Sequence, residues 1–192
     1  MDSLEKVAKE VENCKLCELH KFRRKAVPGE GNKEASIMLI GEAPGSEEDY
    51  TGRPFVGSAG RLLNEILKKV GINREDVFIT NVVKCRPPKN RVPRKDEIES
   101  CRTYLERQIS LINPKIIFLL GSTALEALLN KKSVSNFRGK IIKKKGRLYM
   151  VTYHPASALY NPKFRIFLEE DFKRLKDLLP NLEMGKIDYY IE

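Results

Sequence analysis

Ser36-Ile37-Met38-Leu39-Ile40-Gly41-Glu42-Ala43-Pro44-Gly45 is the stretch that decides the fold. It opens as a continuous apolar run closed by glycine, with no polar alternation, which predicts a strand buried on both faces in a parallel sheet. Working outward, a short helix is predicted over Asp2 to Glu12, leading into Cys14-Lys15-Leu16-Cys17. Downstream, Leu62, Leu63, Ile66, Leu67 and Val70 recur at helical spacing, and Gly71 ends that helix. Val77 to Val83 reads as a second strand. Pro87, Pro88 and Pro93 make Arg86 to Pro93 a loop without regular structure. A helix follows from Asp96 to Ile112, and Lys115 to Leu120 is a third strand. Gly121-Ser122 opens a shorter helix to Asn130, with Ser122 as its N-cap. Arg147 to Tyr153 is the fourth strand, and Lys140 to Lys143 is a candidate partner for it through a turn at Gly146. The last helix, Lys163 to Leu179, buries Phe164, Phe167, Leu168, Phe172 and Leu175. This alternation predicts an α/β fold of three layers, a central, mainly parallel four-stranded sheet flanked by helices. No repeat or linker divides it, so a single domain over 1–192 is expected.

In such a sheet, ligands bind outside the carboxyl ends of the strands. Those places hold Gly41-Glu42-Ala43-Pro44-Gly45, Asn81, Gly121-Ser122 and His154-Pro155-Ala156-Ser157. A carboxylate, a carboxamide and an imidazole are therefore expected around one crevice.

The bulk composition narrows the partners. A chain that is 41% hydrophobic and 32% charged can build a core, and no apolar run approaches the ~20 residues of a membrane span. No secretory signal is evident, so a cytoplasmic protein without membrane contact is expected. A net charge of +10, with Lys and Arg gathered at Lys21 to Lys25, Lys84 to Lys95 and Lys140 to Arg147, favours a polyanion such as nucleic acid. Runs of lysine are more often merely solvated, particularly in thermophiles, where Lys and Glu are enriched.

The four cysteines fall at Cys14, Cys17, Cys85 and Cys101, a C-x₂-C pair and two single thiols. A disulfide framework belongs to small secreted domains. Spacing leaves open a four-thiolate zinc, a cubane iron–sulfur cluster and plain core thiols. Zinc ribbons present two close pairs, unlike this split second pair. Cys101 also shares an apolar helical face with Ile98, Leu105, Ile109 and Ile112, where a free thiol packs well.

Three motifs in order, Gly41-Glu42-Ala43-Pro44-Gly45, Gly52-Arg53-Pro54-Phe55-Val56-Gly57 and Tyr153-His154-Pro155-Ala156-Ser157, together with the four cysteines, resemble the family 4 uracil-DNA glycosylases. These are the thermostable iron–sulfur type of archaea and bacteria, and the resemblance spans Cys14 through Leu178. It implies the uracil-DNA glycosylase fold and hydrolysis of the N-glycosidic bond between uracil and deoxyribose. The product is an abasic site, the first step of base excision repair. It also implies a [4Fe–4S] cluster on Cys14, Cys17, Cys85 and Cys101, single- or double-stranded uracil-containing DNA as substrate, and a monomer.

The implied roles can be weighed residue by residue. Uracil in a duplex must be flipped into a pocket and read on its Watson–Crick edge. Gly41, Ala43, Phe55 and Asn81 form the implied base site. Phe55 offers a stacking face worth about 1–3 kcal/mol. Asn81 can accept from uracil N3–H and donate to O4, a pattern cytosine reverses. The competing reading is a core ring for Phe55 and a loop-bonding strand end for Asn81. His154 is similar to the family histidine that donates to uracil O2, and Glu42 stands where a carboxylate orients water or offsets sugar charge. His20, the other histidine, reads as structural or DNA-facing.

The better-known branch of the superfamily has aspartate where this chain has Ala43, and a thymine-excluding tyrosine where it has Gly45. Something else must crowd the thymine 5-methyl group, and Glu47-Glu48-Asp49 is nearest in sequence; that run reads equally as a solvated loop or helix N-terminus. Gly57, Ser58 and Gly60 at a helix start suit close approach to phosphate. Leu159 and Tyr160 are expected in a DNA-facing loop, with Leu159 as the wedge. Two alternatives stand beside this reading: a same-fold glycosylase for hypoxanthine or a mismatched base, and a non-catalytic iron–sulfur nucleic-acid-binding protein. The tail Lys186 to Tyr190 is a candidate sliding-clamp contact, though its spacing matches poorly.

Overall fold

The computed structural model describes residues 1–185. In chain order the elements are α1 (Leu4–Asn13), β1 (Glu30–Gly31), β2 (Ile37–Gly41), α2 (Ser46–Thr51), α3 (Ser58–Val70), β3 (Phe78–Asn81), α4 (Lys95–Ile112), β4 (Ile116–Leu120), α5 (Ser122–Leu129), α6 (Val134–Phe137), β5 (Ile141–Lys144), β6 (Arg147–Thr152), α7 (Pro155–Tyr160) and α8 (Pro162–Glu183). They form one sheet in the order β1-β3-β2-β4-β6-β5.

The inner four strands, β3, β2, β4 and β6, are all parallel, as their unbroken apolar runs predict. β2 is buried along its whole length because each pleat faces a helical layer. Met38 and Ile40 pack into the cluster holding Val7 and Val11 of α1, Leu105 and Ile109 of α4 and Leu125 of α5. Ile37 and Leu39 pack into the opposite cluster with Leu63 and Ile66 of α3 and Leu168 and Phe172 of α8. These are the three expected layers.

Both outer strands are antiparallel, β1 to β3 and β5 to β6. The β5–β6 hairpin was legible from Gly146, but β1 was not expected, because two residues carry no periodicity. Ser122 is not the N-cap of α5. That place falls to Gly121 at φ 99°, with no side-chain cap, and Ser122 is the first helical residue. The Arg86–Pro93 loop contains one 3₁₀ turn at Pro88–Asn90. Leu159 and Tyr160 lie on α7 rather than in a loop, since Pro155 at the first helical position presets its φ. The suggested clamp contact at Lys186 to Tyr190 lies outside the described residues. Among the described residues, no helix is long and apolar enough to cross a membrane.

Candidate active site at the strand ends

Asn81 ends β3 directly opposite Gly41, which ends β2. A Cβ on Gly41 would stand 2.5 Å from Asn81 Oδ1 and 2.5 Å from Phe55 Cζ, so only glycine lets the three converge. Phe55 is buried and left-handed, with φ 49°, a costly conformation that its surroundings must enforce. Arg74 does part of this, donating to Phe55 O at 3.1 Å and Pro54 O at 2.6 Å while it pairs with Glu30 at 3.0 Å. Gly60 completes the support: any Cβ there would meet Phe55 O at 1.9 Å. The glycine pattern read as a phosphate cradle thus serves the Phe55 turn at position 60.

Asn81 Oδ1 is buried without a hydrogen-bond partner. An orphaned buried acceptor costs about 1–3 kcal/mol, which is recovered when a ligand donor meets it. Phe55, Asn81, His154, Ala43 and Glu48 line one cavity of about 250 Å³.

His154 follows β6 and caps α7. Its Nδ1 accepts from the Ala156 N–H at 3.1 Å, so the ring proton sits on Nε2, which is left to donate. The Phe55 ring stacks on it at 5.6 Å and 28°. Burial pushes its pKa down from 6.5 to about 4, with the Glu48 carboxylate pulling weakly the other way. The folded form is therefore neutral, and as pH falls the unfolded chain takes up this proton first. The stability linked to His154 is full above about 6.5, declines between about 6.5 and about 4, and is lost below that. Urea denaturation across this range should show that decline in wild type and a shallower one in His154→Gln. Parallel pH profiles would remove His154 as the cause.

Glu42 leaves β2 on the other side of His154 and lines a second cavity of about 580 Å³ that shares Ala43, His154 and Ala156 with the first. Its carboxylate accepts from the Thr123 hydroxyl of α5, a partner that sequence reasoning missed. Glu42 and the base-facing groups thus occupy adjoining halves of one crevice.

Glu48 was also underestimated. It is buried in α2, where Oε1 accepts from Val56 N at 3.0 Å and Gly57 N at 2.9 Å, and Oε2 from Gly45 N at 3.1 Å. It ties the first motif to the second while lining the base-sized cavity. The spacing of Gly45 and Glu48 was its one local signal, that of a side chain reaching back over a helix N-terminus. Because Glu48 engages the Gly57 N–H, that group is not free for phosphate. Ser58 opens α3 at the cavity wall, and its hydroxyl accepts from Arg61 at 3.0 Å. Leu159 and Tyr160 project from α7 with 44% and 90% of their surface exposed.

The cysteines converge away from this crevice. Cys14 caps α1, Cys17 precedes a 3₁₀ turn, Cys85 follows β3, and Cys101 lies in α4. All four line one small space with His20, Arg23, Lys84 and Tyr104. Arg23 donates to Cys85 Sγ at 3.0 Å, Lys84 N to Cys101 Sγ at 3.4 Å, and Leu16 N to Cys14 Sγ at 3.5 Å. His20 Nδ1 lies 2.7 Å from Cys17 O, a structural placement. Among the described residues, no three His, Cys, Asp or Glu side chains close around a single metal ion. Burial raises the thiol pKa of Cys17, Cys85 and Cys101, the last to about 12. Thiolates there need a cationic centre to hold them. Four sulfurs on one small space, three of them receiving N–H groups, are a donor set that fits a thiolate-bound cluster.

One basic segment, Lys84 to Lys95, is partly drawn inward. Lys84 is 1% exposed. Arg91 and Arg94 both reach Glu97, itself fully buried, at 2.7 and 3.2 Å, which pins the Pro-rich loop to α4.

These strand-end residues belong to a known class of protein. The family model for the Uracil DNA glycosylase superfamily matches residues 28–178, which includes both cavities and two of the four cysteines. The chain is 51% identical to the Type-4 uracil-DNA glycosylase of Sulfurisphaera tokodaii, over 100% of this chain and 91% of that protein. Identity to the Type-4 uracil-DNA glycosylase of Archaeoglobus fulgidus is 43%, covering 98% and 100% of the two chains. For that of Thermotoga maritima it is 45%, covering 92% and 94%. The chain belongs to the type-4 uracil-DNA glycosylase family.

Proposed function

We propose that this chain excises uracil from DNA, hydrolysing the N-glycosidic bond and leaving an abasic site that opens base excision repair. The observation that carries this reading is the orphaned Asn81 Oδ1, sealed in a base-sized cavity beside an aromatic face and a neutral imidazole. Extruded uracil lies against Phe55. Its N3–H satisfies Asn81 Oδ1, and its O4 accepts from Asn81 Nδ2. Cytosine presents an acceptor at N3 and an amino group at position 4, so it would leave both Asn81 groups opposed. Thymine adds a methyl group, and the Glu48 carboxylate, fixed by three backbone N–H groups, is the cavity group positioned to crowd it.

As the bond from N1 to C1′ lengthens, its electron pair passes to uracil and builds negative charge on O2. His154 Nε2–H donates to that oxygen without a change of protonation state. Glu42, in the adjoining cavity, faces the cationic sugar and the water whose oxygen bonds to C1′, and that water's proton passes through solvent to the departing uracil anion. Ser58, Leu159 and Tyr160 meet the DNA, with Leu159 filling the gap left by the base. Gly57 shapes the helix start that Ser58 presents.

The four cysteines hold a [4Fe–4S] cluster. When bound, it supplies a rigid, charged tie between the N-terminal segment, the exit of β3 and α4, and takes no part in bond cleavage. The protein works as a cytoplasmic monomer on single- or double-stranded DNA.

The test is base release from duplexes carrying uracil, hypoxanthine or mismatched thymine, using protein prepared without oxygen and analysed for iron and sulfide. Uracil released fastest, with iron and sulfide near four atoms of each per chain, is the expected result. Preference for another base would move the substrate. Binding without any release would make the chain a non-catalytic binder, and zinc in place of iron would overturn the cluster.

A further inference from the structure

Lys84 heads the side chains that are fully sealed inside the protein. Its ammonium donates to Thr80 Oγ1 at 2.5 Å, to the main-chain carbonyl of Asn81 at 2.9 Å and to Gln108 Oε1 at 2.7 Å. All three acceptors are neutral, and among the described residues no carboxylate pairs with it. Burying an ammonium without a counter-charge is costly. All three of its protons are engaged instead, so loosening any of these hydrogen bonds is costly. Its chain neighbour Cys85 and, through its main-chain N–H, Cys101 bound it on one side.

The other side of this contact leads to the base site. Asn81 has an unpartnered side-chain oxygen, so its carboxamide is aimed by its main chain and by the close packing of Gly41 and Phe55. Lys84 anchors that main chain. The anchor is closed on itself, because Thr80 Oγ1 and Gln108 Nε2 both donate to Pro28 O, at 2.8 and 2.7 Å. Cys101 and Gln108, two turns apart on α4, place a thiol and a clamp on the same helical face. The Lys84 N–H also donates to Cys101 Sγ at 3.4 Å.

We propose that Lys84 is a positioning residue for uracil recognition, its side chain holding the Asn81 carbonyl while its main-chain N–H meets Cys101. This rests on the function proposed above, and it assigns Lys84 a place inside the molecule, not in the DNA-facing patch.

The test is a double-mutant cycle on the full chain, with Lys84→Met, Asn81→Ala and the double variant. Each is measured for iron and sulfide content, for affinity for free uracil, and for single-turnover release from uracil-containing duplex. Lys84→Met is expected to keep its iron and sulfide and to bind duplex within several-fold of wild type. Free-uracil affinity and release should each fall by about 10–100-fold. In the Asn81→Ala background the same change should cost less than about 3-fold, because there is no carboxamide left to aim. Costs that multiply in the double variant would show a general structural role and overturn the proposal. If Lys84→Met does not fold, the near-isosteric Thr80→Val, which removes one acceptor from the ammonium, replaces it. A loss of about 3–10-fold that vanishes with Asn81→Ala supports the proposal, and one that persists overturns it. A wild-type chain that releases no uracil would count against the proposed function. Uracil release by wild type that Lys84→Met leaves unchanged would count against Lys84 alone.

Discussion

His154→Ala is expected to bind uracil-containing duplex within several-fold of wild type while single-turnover release falls by about 10²–10³. The argument starts from the tautomer. The Ala156 N–H occupies Nδ1, so the proton is held on Nε2. Burial keeps the ring neutral, so its dipole is set before the reaction begins. A preorganised donor of this kind gains strength only as negative charge gathers on the leaving base, and losing one costs about 2.7–4 kcal/mol in the transition state. Affinity for DNA rests on phosphate contacts and is largely untouched. Glu42→Ala should show the same split, through the sugar and water side. Cleavage at the wild-type single-turnover rate by either variant would remove the catalytic role given to that residue.

Asn81→Ala is expected to slow uracil release by about 100-fold or more, because two base-edge hydrogen bonds vanish together and each unpaired group costs about 1–3 kcal/mol, about 4 kcal/mol for the pair at mid-range. It should also narrow the preference for uracil over cytosine, which a purely structural residue would leave alone. The variant also removes a buried oxygen that has no partner in the free protein, so its stability should equal or exceed that of wild type. The comparison to make is release rate against denaturation midpoint for the same preparation. Near-normal release would shift recognition to another group in the cavity, and a large loss of stability would mean that Asn81 holds the fold together.

Much of this was legible along the chain because it depends on neighbours in sequence. Ile37 to Gly41 could only be a strand buried on both faces, and parallel strands place their carboxyl ends together, so Glu42, Asn81 and His154 had to approach one another. The thiols at 14, 17, 85 and 101 suggested a shared centre by their number, while spacing left plain core thiols open as well. What stayed hidden depends on partners distant in the chain. Glu48 lay in an acidic run that reads equally as a methyl-crowding group or a solvated segment, until folding turned it under Val56 and Gly57. Lys84 lay in a basic run that reads as a DNA-facing patch. Only the packing of β3 against α4 supplied Gln108, and only the folded β3 strand brought its carbonyl and hydroxyl acceptors into reach of a buried ammonium. The histidine itself was plain in the sequence, but its tautomer was not, since a proton's position is decided by which hydrogen bond the other ring nitrogen makes. Local pattern, set by side-chain size, polarity and period, determined which residues stand at the strand ends. Their charge states, orientations and mutual supports were decided by burial and by contacts that exist only once the layers close.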